Sequence, residues 1–214
     1  MKSLISVCLL TLLFTVQLQA QVDTSKGNNL LDEITAADKE VAPLLPTRMI
    51  LTQRLLWGKH GMMRNFNTFE LTPEKRQNEL KIRRTMLVTH QVLGFATLGG
   101  MIAQGIVGAK LYNNGGRNLK DLHENIGAAV NIGYFSTAAF SLFAPPKMVD
   151  ERKGYSSIKV HKWLALVHMT AMIATNVLAG QIEGPNVATY KPYHRAAAYT
   201  AFGAFAASMI IIKF

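Results

Sequence analysis

The sequence predicts an all-α membrane protein: a transmembrane up-down four-helix bundle with internal duplication of a helix pair, preceded by a signal peptide and a short polar to amphipathic segment. Three observations predict it. Residues 86–109, 125–146, 163–182 and 196–212 contain no Asp, Glu, Lys or Arg. Polar loops with strong helix breakers separate these stretches. Side chains 71 positions apart also match between the two halves of the region, as in Leu93 with Leu164, Met101 with Met172, Ile102 with Ile173 and Ala103 with Ala174. A helix needs about 20 apolar residues to cross the hydrocarbon core of a bilayer. The first three stretches meet that length, and Tyr193 and His194 extend the fourth.

Composition narrows the class further. Charged residues make up 17% of the 214 positions, below the roughly 25% usual in soluble domains. Mean hydropathy is only +0.14, because the apolar content is heavy in Ala and Gly and is averaged with a polar front segment. The net charge is +10, yet the basic residues sit mostly before and between the apolar runs. That placement suits lipid headgroups and argues against nucleic acid. Cys8 is the only cysteine and lies in the export signal. A chain without it has no disulfide, thiolate metal site or covalent haem attachment.

In chain order, residues 1–20 read as a signal peptide. Lys2 is the positive start, Leu4 to Val16 the apolar core, and Leu18-Gln19-Ala20 the cleavage site before Gln21. An uncleaved anchor is the alternative. Residues 21–84 form an extracytoplasmic polar and amphipathic segment. Its start, 21–38, reads as flexible, and residues 44–57, with Arg48 and Arg54, should lie on the surface rather than cross. Thr72-Pro73-Glu74 reads as a helix start, with a capping hydroxyl, proline in the first turn and an acid at the positive dipole end. That helix is expected to run through Lys81, Arg83 and Arg84 into the first span. Residues 85–214 form the four-span membrane domain. Asn113-Asn114-Gly115-Gly116, Pro145-Pro146 and Gly184-Pro185 punctuate it, and short connections make neighbouring helices antiparallel.

Each span carries one histidine near its start: His90, His123, His161 and His194. A small residue follows four positions later in every case: Gly94, Gly127, Ala165 and Ala198. Positions i and i+4 share a helix face, so the small residue clears space beside the imidazole. His90 and His161 are 71 residues apart, as are His123 and His194. Spans one and three run in the same direction and sit diagonally in an up-down bundle, as do spans two and four. Each histidine therefore faces its repeat mate across the bundle axis. Two opposed imidazoles are what a six-coordinate, non-covalent haem b requires, and the bundle holds two such groups. Zinc or copper fits less well, because no carboxylate or thiol joins the histidines within the spans. Isolated interfacial histidines serving only structure are the plainer alternative. His168 lies two turns beyond His161, opposite Thr97 in the repeat; a hydrogen bond inside the bundle is expected of it, with axial ligation in place of His161 as the alternative. His60 reads as a surface residue. Arg83, Arg84 and Lys162 near the first pair, and Lys120 and Arg195 near the second, suit haem propionates or lipid headgroups alike.

The order and spacing of His90, His123, His161 and His194, with separations of 33, 38 and 33 residues, resemble the cytochrome b561 family. The resemblance covers residues 85–213. It implies two b haems held by first-with-third and second-with-fourth histidine pairs, and transmembrane electron transfer. The flanking spans of that family and a donor-binding motif are not found in this sequence. The function expected is therefore a transmembrane electron carrier or oxidoreductase, with a haem-binding anchor or sensor subunit, or a cofactor-free structural protein, as alternatives. Expected partners are membrane lipids, a quinone, soluble redox protein or small reductant, and a second copy or redox complex. The expected location is a bacterial inner membrane, multi-pass. A cleaved signal places residues 21–84 outside the cytoplasm, whereas Lys75, Arg76, Lys81, Arg83, Arg84, Lys147, Arg152 and Lys153 on that side oppose the positive-inside bias. The signal is given precedence, because residues 21–84 hold no run fit for an additional crossing.

Overall fold

The structure, a computed structural model, describes residues 43–148, 154–182 and 184–213. The signal peptide, residues 21–38, and Arg152 and Lys153 of the second loop lie outside the described residues. Those described are helical, with no strand among them. A short helix α1 (Leu51–Trp57) precedes four long ones: α2 (Pro73–Asn114), α3 (Arg117–Leu142), α4 (Ser157–Ala179) and α5 (Val187–Lys213).

Helix α2 begins where the sequence predicts. Thr72 is extended and its hydroxyl accepts from the Lys75 backbone N–H at 3.3 Å, with Pro73 in the first turn and Glu74 behind it. This satisfies one of the amide donors orphaned at a helix start. The helix then runs without a break for 42 residues, so the polar segment and the first span form one rod, about 60 Å long at 1.5 Å per residue. Two glycines turn the chain into α3: Gly115 at φ 68° and Gly116 at φ 103°, in the left-handed region that side chains avoid.

Helices α2, α4 and α5 are each long and apolar enough to cross a membrane, the last taken from Gly184 to Ile212. The chain is therefore a multi-pass membrane protein by helix length and composition. Helix α3, expected as the second of four spans, has 26 residues but falls outside that group. It lacks charges beyond Glu124, yet Asn125, Asn131, Ser136, Thr137 and Ser141 dilute its hydropathy. Several of these groups are satisfied within the protein. Asn131 and Asn176 exchange side-chain hydrogen bonds at 2.7 and 2.9 Å, and Thr137 donates to the Gly133 carbonyl at 2.7 Å.

Packing is closest within two hairpins, α2 with α3 and α4 with α5, and α2 also meets α5. The core joins Met101, Val130, Tyr134, Met172, Ala201 and Phe205. Its members fall in pairs 71 residues apart: Met101 with Met172, Val130 with Ala201, Tyr134 with Phe205. Four of the buried polar side chains do the same, Thr97 with His168 and Thr137 with Ser208.

The segment before α2 docks on the protein through directed hydrogen bonds. Thr52 donates to the Leu142 carbonyl at 2.7 Å, Gln53 to Ala144 at 3.1 Å and the Trp57 indole to Phe143 at 2.9 Å. Leu142 is the last residue of α3, where a helix leaves acceptors without internal partners, and Phe143 and Ala144 directly follow it. The carboxylate of Glu79, fully buried, is held by both Arg64 and Arg76. Arg76 also donates to the Leu44 and Pro146 carbonyls, and Arg83 to Pro145 at 2.6 Å. Residues 44–57 thus lie on the surface in part only: Trp57 is buried, while Leu51 and Leu55 are exposed.

Candidate histidine-pair centres

The four span-start histidines meet in two pairs, each joining the two hairpins. The ring centres of His90 (α2) and His161 (α4) are 6.3 Å apart with the planes at 84°. Those of His123 (α3) and His194 (α5) are also 6.3 Å apart, at 76°. A metal–imidazole bond is about 2 Å long, and an imidazole centre lies a little over 1 Å behind its nitrogen. Two imidazoles on opposite sides of one metal ion therefore have centres roughly 6 Å apart. Both observed separations fit a bis-histidine iron. All four rings are half-buried. His90 and Gln104, the α2 residue beside His123, are 14 residues apart on one helix, which sets the pairs about 21 Å apart along the axis.

Backbone carbonyls orient three of the rings. His90 Nδ1 donates to Thr137 O at 2.8 Å, His161 Nδ1 to Ser208 O at 2.9 Å and His194 Nδ1 to Thr175 O at 2.9 Å. A carbonyl can only accept, so each Nδ1 carries the proton and each Nε2 of a neutral ring keeps its lone pair. This is the arrangement in which a metal-ligating histidine is fixed by its other nitrogen. The first two bonds are equivalent across the 71-residue offset, from 90 and 137 to 161 and 208.

His123 departs from this pattern. By the same offset its partner should be residue 104, matching Thr175 opposite His194. Gln104 stands there, and its side-chain amide N–H donates to His123 Nε2 at 3.2 Å. His123 Nδ1 and Gln104 Oε1 are buried and have no hydrogen-bond partner among the described residues. The ring also packs against Gly108, where a Cβ would come within 2.9 Å of its Cε1 atom. A side chain at that crossing would have to displace the imidazole.

The small residues following each histidine differ in what they do. A Cβ on Gly94 would make ordinary contacts with Thr137 and Met209, at 3.8 and 3.9 Å. A Cβ on Gly127 would meet the Gln104 amide nitrogen at 2.9 Å, so Gly127 makes room for that side chain. Ala165 and Ala198 are partly buried on α4 and α5.

His168 stands apart from both pairs. Its Nδ1 and the Tyr134 hydroxyl share a hydrogen bond of 2.5 Å, and it lies edge-on to Phe205, buried in the core. The expected intramolecular bond is present, with its partner now identified. Seven residues separate His168 from His161, so the Tyr134–His168 bond lies about 10 Å from the first pair and near mid-depth. Arg195 is exposed, its guanidinium 4.5 Å from the Tyr112 ring centre and 5.4 Å from that of Tyr199. Lys191 donates to the Tyr112 carbonyl at 3.1 Å. Arg83 is committed to the second loop, and His60 is exposed as expected.

Sequence reasoning missed the groups that hold the imidazoles. The carbonyls of Thr137, Thr175 and Ser208 have no residue-type signature, since every residue has one. Gln104 had a signal: it is an amide within a charge-free span at the place equivalent to Thr175. Among the described residues no group of three or more His, Cys, Asp or Glu could hold a metal ion; the candidate donor sets are histidine pairs, which suit a cofactor supplying its own equatorial ligands. Comparison of the chain with protein-family models, curated proteins and solved structures finds no match.

Proposed function

We propose that the protein is a transmembrane electron carrier binding two b-type haems, one at His90 and His161 and one at His123 and His194. The single observation that carries this reading is the equal 6.3 Å separation of the rings in both pairs. In this reading the four long helices form an up-down bundle that arose by duplication of a helix pair, supported by core residues recurring 71 positions apart. The resemblance to the cytochrome b561 family and the cleaved signal belong to the same proposal.

When bound, haem supplies a one-electron centre whose potential follows its axial ligands and surroundings. The chain does the rest. Thr137, Ser208 and Thr175 accept from Nδ1, fix the tautomer and aim Nε2 of His90, His161 and His194. Two histidines would hold the haem at each centre, which would favour electron transfer over oxygen binding. Met101, Val130, Met172, Ala201 and Phe205 keep water out of the region between the pairs. Donor and acceptor are a quinone, a soluble redox protein or a small reductant.

The test is a reduced-minus-oxidised spectrum of the purified full chain with haem quantified per protein. Two haems and a sharp b-type band are expected, with about half the haem retained in His90→Ala and in His123→Ala. No band sinks the proposal. Haem that no quinol, ascorbate or dithionite reduces would move the reading to a sensor or anchor.

A further inference from the structure

Internal repetition makes the two histidines of each centre comparable group by group, and the second centre departs from that equivalence at residue 104. At the first pair both Nδ1 atoms are bound to carbonyls, and among the described residues no hydrogen bond is made to either Nε2. At the second pair His194 follows the rule, while His123 accepts from Gln104 on Nε2. The same side chain lies over Gly127, the residue expected to clear the space beside that ring. Two buried polar atoms, His123 Nδ1 and Gln104 Oε1, have no hydrogen-bond partner among the described residues in this arrangement. Buried groups in such a state carry a desolvation cost and mark sites that rearrange or await a ligand.

We propose that Gln104 makes the two centres unequal: it is a positioning residue that engages the ligating nitrogen of His123, so the His123/His194 centre takes its haem second and more weakly. The proposal rests on the bis-histidine reading above. Loading this centre requires the Gln104 amide to leave Nε2 and clear the face of Gly127. The Gln104 backbone carbonyl, equivalent to that of Thr175, already lies beside the ring and is the acceptor the repeat offers to Nδ1. At the first centre no hydrogen bond has to break. Giving up the Gln104–His123 hydrogen bond, of ordinary net strength, corresponds to about tenfold in affinity.

Hemin titration into full-length protein produced without haem, followed by Soret absorbance, tests this. Wild type is expected to bind two hemins with affinities about tenfold apart. His123→Ala should retain the tight phase and His90→Ala the weak one. Gln104→Thr, which installs the residue of the second half, should bring the two affinities together, and Gln104→Ala should do the same if the threonine variant folds poorly. Two equal affinities in wild type, a tight phase lost in His123→Ala, or an unchanged gap in both Gln104 variants would overturn the inference. Absence of any Soret change in wild type would instead sink the haem reading itself.

Discussion

Tyr134 and His168 show what a single pair of residues decides. The 71-residue offset places Phe205 opposite Tyr134 and Thr97 opposite His168, so this hydrogen bond is a departure from the repeat. Both groups are buried between the hairpins. Tyr134→Phe leaves the imidazole without its partner and is expected to destabilise the protein by about 1–3 kcal/mol. Changing both, Tyr134→Phe with His168→Met, should recover most of that loss, because removing both partners together leaves nothing unsatisfied. Thermal unfolding in detergent of the two single variants and the double variant measures the coupling; additive losses would mean that the bond contributes nothing. The sequence indicated an internal bond for His168, but its partner could not be read, since Tyr134 lies 34 residues away on another helix.

At the scale of elements, the start of α2 was legible and its neighbourhood was not. Thr72, Pro73 and Glu74 act locally, through caps and dihedrals that adjacent residues set. The segment before it is held by long-range bonds from Thr52, Gln53 and Trp57 to the end of α3, about 90 residues on. No periodicity encodes such contacts. The Arg64–Glu79–Arg76 cluster ties this segment to the base of α2. Glu79→Ala would leave two buried guanidiniums facing each other without their carboxylate, and a loss of about 3–5 kcal/mol is expected. Limited proteolysis within residues 43–72 should accelerate in this variant while the hairpins stay protected. An unchanged cleavage rate would show that the carbonyl contacts alone hold the segment. Helix α3 shows the opposite limit: absence of charge marked it as a span, yet its amides and hydroxyls, several of them used within the protein, lower its hydropathy.

For the whole molecule, the composition of the chain permits a clean measurement of sidedness. With Cys8 confined to the proposed signal, the remainder has no thiol, so single cysteines report alone. In intact spheroplasts, Lys59→Cys, exposed before α2, should react with an impermeant maleimide. Asn113→Cys, at the far end of the same helix, should react only after the membrane is opened. The reverse pattern would favour the positive-inside count over the signal.

The sequence by itself determined an all-helical chain, the long apolar helices, their breakers, and four histidines at equivalent places. These follow from local composition and from spacing along one chain, which helix geometry converts directly into faces and depths. Tertiary structure alone decided that the rings meet at 6.3 Å, which carbonyls orient them, that Gln104 occupies His123, and that the front segment clasps the end of α3. Each of these depends on how separate helices are rotated and set against one another, and packing between distant residues fixes that rotation.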